Sequence, residues 1–109
     1  MNDILINYSA DVLTRPDDGM TWTQIARFFR KKSVEYNVFV PYINTIFPSH
    51  LGNRRVAFIE NLKAFSSDQQ LILLNELCSI NKNIKITPLK RLLMIHCSKR
   101  GYMPDQRND

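Results

Sequence analysis

The chain has 109 residues, 44% of them hydrophobic and 23% charged, which suffices for one domain with its own core and no disulfide or metal staple. Only three glycines, no low-complexity run and no internal repeat exclude a flexible-linker protein and a solenoid. Fifteen Lys+Arg against ten Asp+Glu leave a net charge of +5, which biases the surface toward nucleic acid, anionic lipid or an acidic protein partner.

Residues 2–13 open with Asp3 as a cap, and Leu5, Tyr8 and Val12 fall close to helical spacing, so a helix is expected, although Ile4-Leu5-Ile6 also suits a short buried strand. That three-residue apolar run, with Asp3 beside it, lacks the basic and apolar regions of a secretory signal, and no stretch approaches the roughly 20 apolar residues of a membrane span. A cytoplasmic protein is expected. Residues 14–19 then concentrate turn formers, with Pro16 and Gly19 on either side of Asp17-Asp18.

Residues 21–32 carry a second helix. Thr21 and Gln24 have capping-box spacing, and Trp22, Ile25, Ala26 and Phe29 recur on one face. Arg27, Arg30 and Lys31 form a basic stripe on the other, and cations from Arg30 to Lys32 also suit the negative end of the helix dipole. Val34, Tyr36, Val38 and Val40 alternate like a strand; the reading is a connector to about Val38, the place for a short strand if there is one, and a short helix over 40–47 with Pro41 in its first turn.

The stretch from Asn53 to Ile80 holds two amphipathic patterns joined at Ser66-Ser67-Asp68. Val56, Phe58, Ile59, Leu62 and Phe65 make the apolar face of the first, with Arg54, Arg55, Glu60, Asn61 and Lys63 opposite. Ser66 and Ser67 each stand three residues before a glutamine, so either can cap the second helix, whose core stripe is Leu71, Leu74, Leu77 and Cys78. A turn at 81–83 and an extended link at 84–86 lead to Thr87 as N-cap and Pro88 at N1 of a last helix that buries Leu89, Leu92, Leu93 and His96. The domain is expected over residues 1–101, with 102–109 a frayed tail or the start of a linker.

Chemistry is sparse. Cys78, Cys97, His50 and His96 lack the paired short spacings of zinc ligands, Asp17-Asp18-Gly19 lacks the remaining positions of a calcium loop, and Glu60 and Glu76 read as solvated helix positions. No phosphate loop or nucleophile elbow occurs, so no catalytic residue, metal or cofactor is expected. The basic residues are the remaining signal: between Leu77 and Pro104 stand Lys82, Lys85, Lys90, Arg91, Lys99 and Arg100 without one acid. With the exposed sides of the earlier helices, they nominate Arg27, Arg30, Lys31, Arg54, Arg55, Lys90 and Arg91 as contacts to nucleic acid or an acidic partner.

Two stretches are also familiar in combination. Gly19-Met20-Thr21 with Ile25-Ala26-Arg27, and Asn53-Arg54-Arg55 with Ala57-Phe58, Leu62, Phe65-Ser66 and Leu77-Cys78, resemble the helical N-terminal domains of AbiJ-like bacterial abortive-infection proteins over about two thirds of the chain. The resemblance implies an accessory sensing or adaptor module that works with a separate effector domain, and it implies no catalytic residues. The expectation is an all-α single domain of about five helices, with room for one short strand pair. Its expected role is a non-enzymatic protein-interaction, sensor or adaptor domain in anti-phage defence, the alternative being a nucleic-acid-binding domain that uses its basic helix faces.

Overall fold

Two reciprocal capping boxes set where two of the helices of this chain begin. Gln24 N–H donates to Thr21 Oγ1 at 3.2 Å while Thr21 N–H donates to Gln24 Oε1 at 2.9 Å, and Ser66 and Gln69 repeat the exchange at the same distances. In a computed structural model, which describes residues 3–47, 53–81 and 86–99, with side chains as far as His96, the helices are α1 (Asp3–Leu13), α2 (Trp22–Tyr36), α3 (Arg54–Lys63), α4 (Ser67–Ile80) and α5 (Ile86–Lys99). The fold is all-α, and no strand occurs among the described residues.

Helix α4 packs on α5, α1 on α3 and α5, and α2 on α3. The enclosed core holds Leu13, Ile25, Phe29, Phe58, Leu62, Leu71, Leu74, Leu77, Leu89 and Leu93. Phe29 sits among other rings, edge-on to Phe58 at 5.6 Å and tilted against Phe65 at 6.2 Å, separations at which aromatic pairs add to simple area burial. Gly19 belongs to the turn between α1 and α2. A Cβ there would collide with the backbone of Arg15 and Leu13, so the turn closes only around glycine.

Several expectations need correction. Helix α2 runs through Ser33 and Val34 to Tyr36, because its stop is not a glycine but Asn37, held in the left-handed region at φ 54°. Val38 N–H then bonds Ser33 O at 3.0 Å and Asn37 N–H bonds Val34 O at 3.3 Å, the double closure of a Schellman motif. The connector expected over 33–38 is thus mostly helix. The helix expected over 40–47 is absent, because side chains of α2 and α3 take the backbone groups it would pair. Asn61, assigned to the wet face of α3, is fully buried, whereas Val56 is exposed. Trp22 is only half-buried, His96 is partly exposed, and Leu92 is 43% exposed. Helix α5 begins at Ile86, before Thr87, and of the two serines expected as alternative caps of α4 it is Ser66 that caps it. His50, the Cys97 side chain and the tail at 102–109 lie outside the described residues.

Candidate interaction surface

The segment between α2 and α3 lacks regular structure over 38–47, yet its backbone is held from outside. Asn61 on α3 accepts from Tyr42 N–H at 2.9 Å and donates to Tyr42 O at 2.8 Å. Two side chains of α2 take the next carbonyls: Arg30 Nη2 donates to Ile43 O at 3.0 Å and Trp22 Nε1 to Asn44 O at 2.9 Å. Asn44 Oδ1 in turn accepts from Ile46 N–H at 2.9 Å. Backbone groups that a helix over 40–47 would pair internally, the carbonyls of Tyr42, Ile43 and Asn44 and the Ile46 amide, are committed to side chains instead. Val40 is buried and anchors the segment in the core, while Phe39 and Ile46 stand 85% and 78% exposed.

Beside this clamped loop runs the outer face of α2, where Arg27, Arg30, Lys31, Val34 and Glu35 line a shallow groove. Val34, one of the residues that line it, is 80% exposed. Arg27 and Lys31 are exposed, and neither makes an ion pair among the described residues. Of the seven cations nominated from sequence, Arg27, Arg30 and Lys31 therefore come together. Lys90 and Arg91 lie exposed on α5, next to Leu92, Met94 and Ile95, which are also exposed. Arg54 and Arg55 are turned inward as clips. Arg54 Nη2 donates to Arg15 O at 2.8 Å, and Arg55 holds α1 through Asp11 Oδ1 at 2.5 Å and Asn7 Oδ1 at 2.8 Å.

Sequence reasoning missed one electrostatic cluster. Lys32, expected as a cation at the solvated helix end, is buried at 4% exposure, and its Nζ reaches Glu76 Oε1 at 2.7 Å and Glu35 Oε1 at 2.9 Å. Burial by itself pulls the Lys32 ammonium toward neutrality, but the hydrogen bonds to Glu76 and Glu35 outweigh it, so its pKa is raised. The bond from Lys32 holds the Glu35 carboxyl below its ordinary value. Glu76, read as a solvated position, is thus the long-range tie between α4 and α2. No local pattern signals such a pair, since each partner alone looks like surface.

Cys78 is a buried free thiol whose pKa burial pushes up to about 11, which makes it a poor nucleophile at neutral pH. Among the described residues no three His, Cys, Asp or Glu side chains gather closely enough to hold a metal ion, and no helix is long and apolar enough to cross a membrane. Comparison with family models, with curated proteins and with solved structures finds no match to this chain.

Proposed function

We propose that this chain is a non-enzymatic protein-interaction module, an adaptor or sensor domain of a bacterial abortive-infection protein, that docks an acidic, apolar-bearing partner segment along α2 and the clamped loop. The observation that carries the reading is the loop itself. Three side chains from two helices spend their hydrogen bonds on holding it still, while Phe39 and Ile46 stay in solvent. Apolar side chains carried beside a backbone that is already held at Tyr42, Ile43 and Asn44 lose less freedom when a partner covers them, and this is how preorganised surfaces gain affinity. Arg27 and Lys31 supply the sign: the neighbouring acid, Glu35, is already committed to Lys32, so the face attracts carboxylates and repels a second copy of itself. The partner is a segment of a defence effector in the cytoplasm, in keeping with the resemblance to AbiJ-like N-terminal domains.

The test is a fluorescein-labelled peptide with leucines at helical spacing and glutamates between them, titrated against the wild-type chain and against Phe39→Ser and Arg27→Glu/Lys31→Glu variants. Binding that each change weakens by about tenfold or more supports the reading, since truncated anchors commonly cost above 1 kcal/mol. Equal binding by all three proteins overturns it.

A second reading, nucleic-acid binding, is favoured by the exposure of Arg27, Lys31, Lys90 and Arg91. Fluorescent oligonucleotides at two salt concentrations decide between them. Tight binding that falls steeply with salt, with a shallower slope once these four are changed to glutamine, replaces the first reading by the second.

A further inference from the structure

The cleft at the junction of α1, α2 and α3 has a different chemistry from the α2 face. It is an open cleft of ≈ 530 Å³, and its walls include Arg15, Arg54, Arg55, Pro16, Trp22 and Phe47. Trp22 and Phe47 meet edge-to-face at 5.2 Å, so the lining combines an aromatic pair with guanidinium groups. The volume falls within the roughly 300–1,000 Å³ typical of small-molecule sites, which are mostly apolar with a few polar groups that fix orientation.

Three guanidiniums share two counter-ions here. Arg55 pairs with Asp11 at 2.5 Å, which neutralises the acid that also lines the cleft, and Arg15 pairs with Asp18 at 3.1 Å. Arg54 has no carboxylate partner among the described residues. It is half-buried and gives Nη2 to a neutral carbonyl, and its Nε makes no hydrogen bond and is closed to solvent, so the remainder of the guanidinium is the part that can meet a ligand. A partly desolvated cation without a counter-ion is costly, and an anion in the cleft removes the cost. The cleft also receives the start of α3, whose side-chain cap Asn53 takes only the Val56 amide, so the positive end of that helix adds to the same field.

We propose that this cleft binds a phosphate-bearing aromatic ligand of mononucleotide size, its phosphate on Arg54 and its ring against Trp22 and Phe47. Guanidinium is a fixed positive charge that a phosphate neutralises, and aromatic walls accept any flat base. The ligand is either a free nucleotide or the phosphorylated end of a strand. Either one would make the domain responsive to a small molecule at a cleft that shares Trp22 with the docking surface, since that residue also holds the loop through Asn44 O.

Trp22 is the single tryptophan, so its emission reports on the cleft without a label. The expected result is a saturable change in emission with adenosine monophosphate, competed by inorganic phosphate, and no response to adenosine. Arg54→Gln is expected to weaken the response by about tenfold or more, the scale of one charge-assisted hydrogen bond. Arg27→Gln/Lys31→Gln is expected to leave it unchanged. A 5′-phosphorylated oligonucleotide set against its 5′-hydroxyl counterpart identifies the source, a stronger response to the phosphorylated strand than to the mononucleotide indicating a strand end. If Arg54→Gln fails to fold, the wild-type comparison of monophosphate, phosphate and adenosine still decides. A flat emission trace, an equal response to adenosine, or loss of the response in the Arg27/Lys31 variant overturns the proposal and leaves Arg54 as a clip on the Arg15 carbonyl.

Discussion

The carboxamide of Asn61 and the backbone of Tyr42 hold each other by two hydrogen bonds, one in each direction, across the space between α3 and the loop. Asn61 is fully buried, so nothing else replaces what it gives. Asn61→Ala is expected to cost about 2 to 4 kcal/mol, because it strands an amide and a carbonyl as well as losing two bonds. Asn61→Asp keeps the acceptor but sets a carboxylate against Tyr42 O. It is expected to destabilise at pH 7 and to recover in part in acid, where the carboxyl carries a proton it can donate. Urea midpoints at the two pH values check this, and an Asp variant as stable as wild type at pH 7 would count against the clamp.

Replacing Lys32 by methionine is expected to cost about 1 to 3 kcal/mol near neutral pH, below the figure for a fully buried pair because both glutamates are partly exposed. The difference from wild type should depend on pH at both ends. The Glu35 pKa is lowered from 4.5 in the fold, so its share is present above about that pH and is lost as pH falls through the lowered value. The Lys32 pKa is raised from 10.5, so its share is complete below that value and is lost as pH rises through the raised one. Denaturant titrations across pH should show a plateau in the difference through neutrality, closing in acid and in strong alkali; a difference independent of pH would mean that the ion pairs contribute nothing beyond packing.

Trp22 can be separated into its two contributions. Trp22→Phe keeps a ring beside Phe47 and loses the bond to Asn44 O, an expected cost of about 0.5 to 1.5 kcal/mol. Trp22→Ala is expected to cost about 2 to 3 kcal/mol, less than for an enclosed aromatic, since the ring is half-buried. Thermal unfolding of the two variants gives the comparison, and equal losses would show that the hydrogen bond carries all of it.

The nominated cations should divide by what their guanidinium and ammonium groups touch. Arg27→Gln and Lys31→Gln are expected to stay within about 0.5 kcal/mol of wild type, as surface changes usually do. Arg30→Gln, Arg54→Gln and Arg55→Gln each release a contact with another segment and are expected to cost about 1 kcal/mol or more. Calorimetric midpoints for all five variants test the division, which fails if Arg30 groups with Arg27.

How much of this was legible beforehand depended on where each residue's partner lies. Thr21 with Gln24 and Ser66 with Gln69 are complete within one turn, so the starts of α2 and α4 could be read from spacing. The periodic face of α4 likewise announces itself, whereas Ile4-Leu5-Ile6 left α1 open to a strand reading. Asn61 and Arg55 find partners 19 and 48 positions away, and local sequence carries no trace of those bonds. Periodicity also misled where apolar residues are too many to choose among. In α5, Leu89 and Leu93 turn inward and Leu92 and Ile95 outward, although all four are good core residues. The alternation of Val34, Tyr36, Val38 and Val40 was a coincidence of register across the Asn37 stop, with two residues on a helix and two beyond it.

The clamped loop has a consequence for how its amide protons trade with solvent. Exchange requires the donor to be freed, and regions open in cooperative units rather than residue by residue. The Tyr42 amide is guarded by a side chain on α3, so its proton should exchange only when the loop parts from that helix. The Ile46 amide is guarded only by Asn44, two residues away, and a local fluctuation is enough to release it. A slow and a fast amide four residues apart in a segment without secondary structure would be the kinetic signature of a loop that behaves as part of the core at one position and as a free surface at the next.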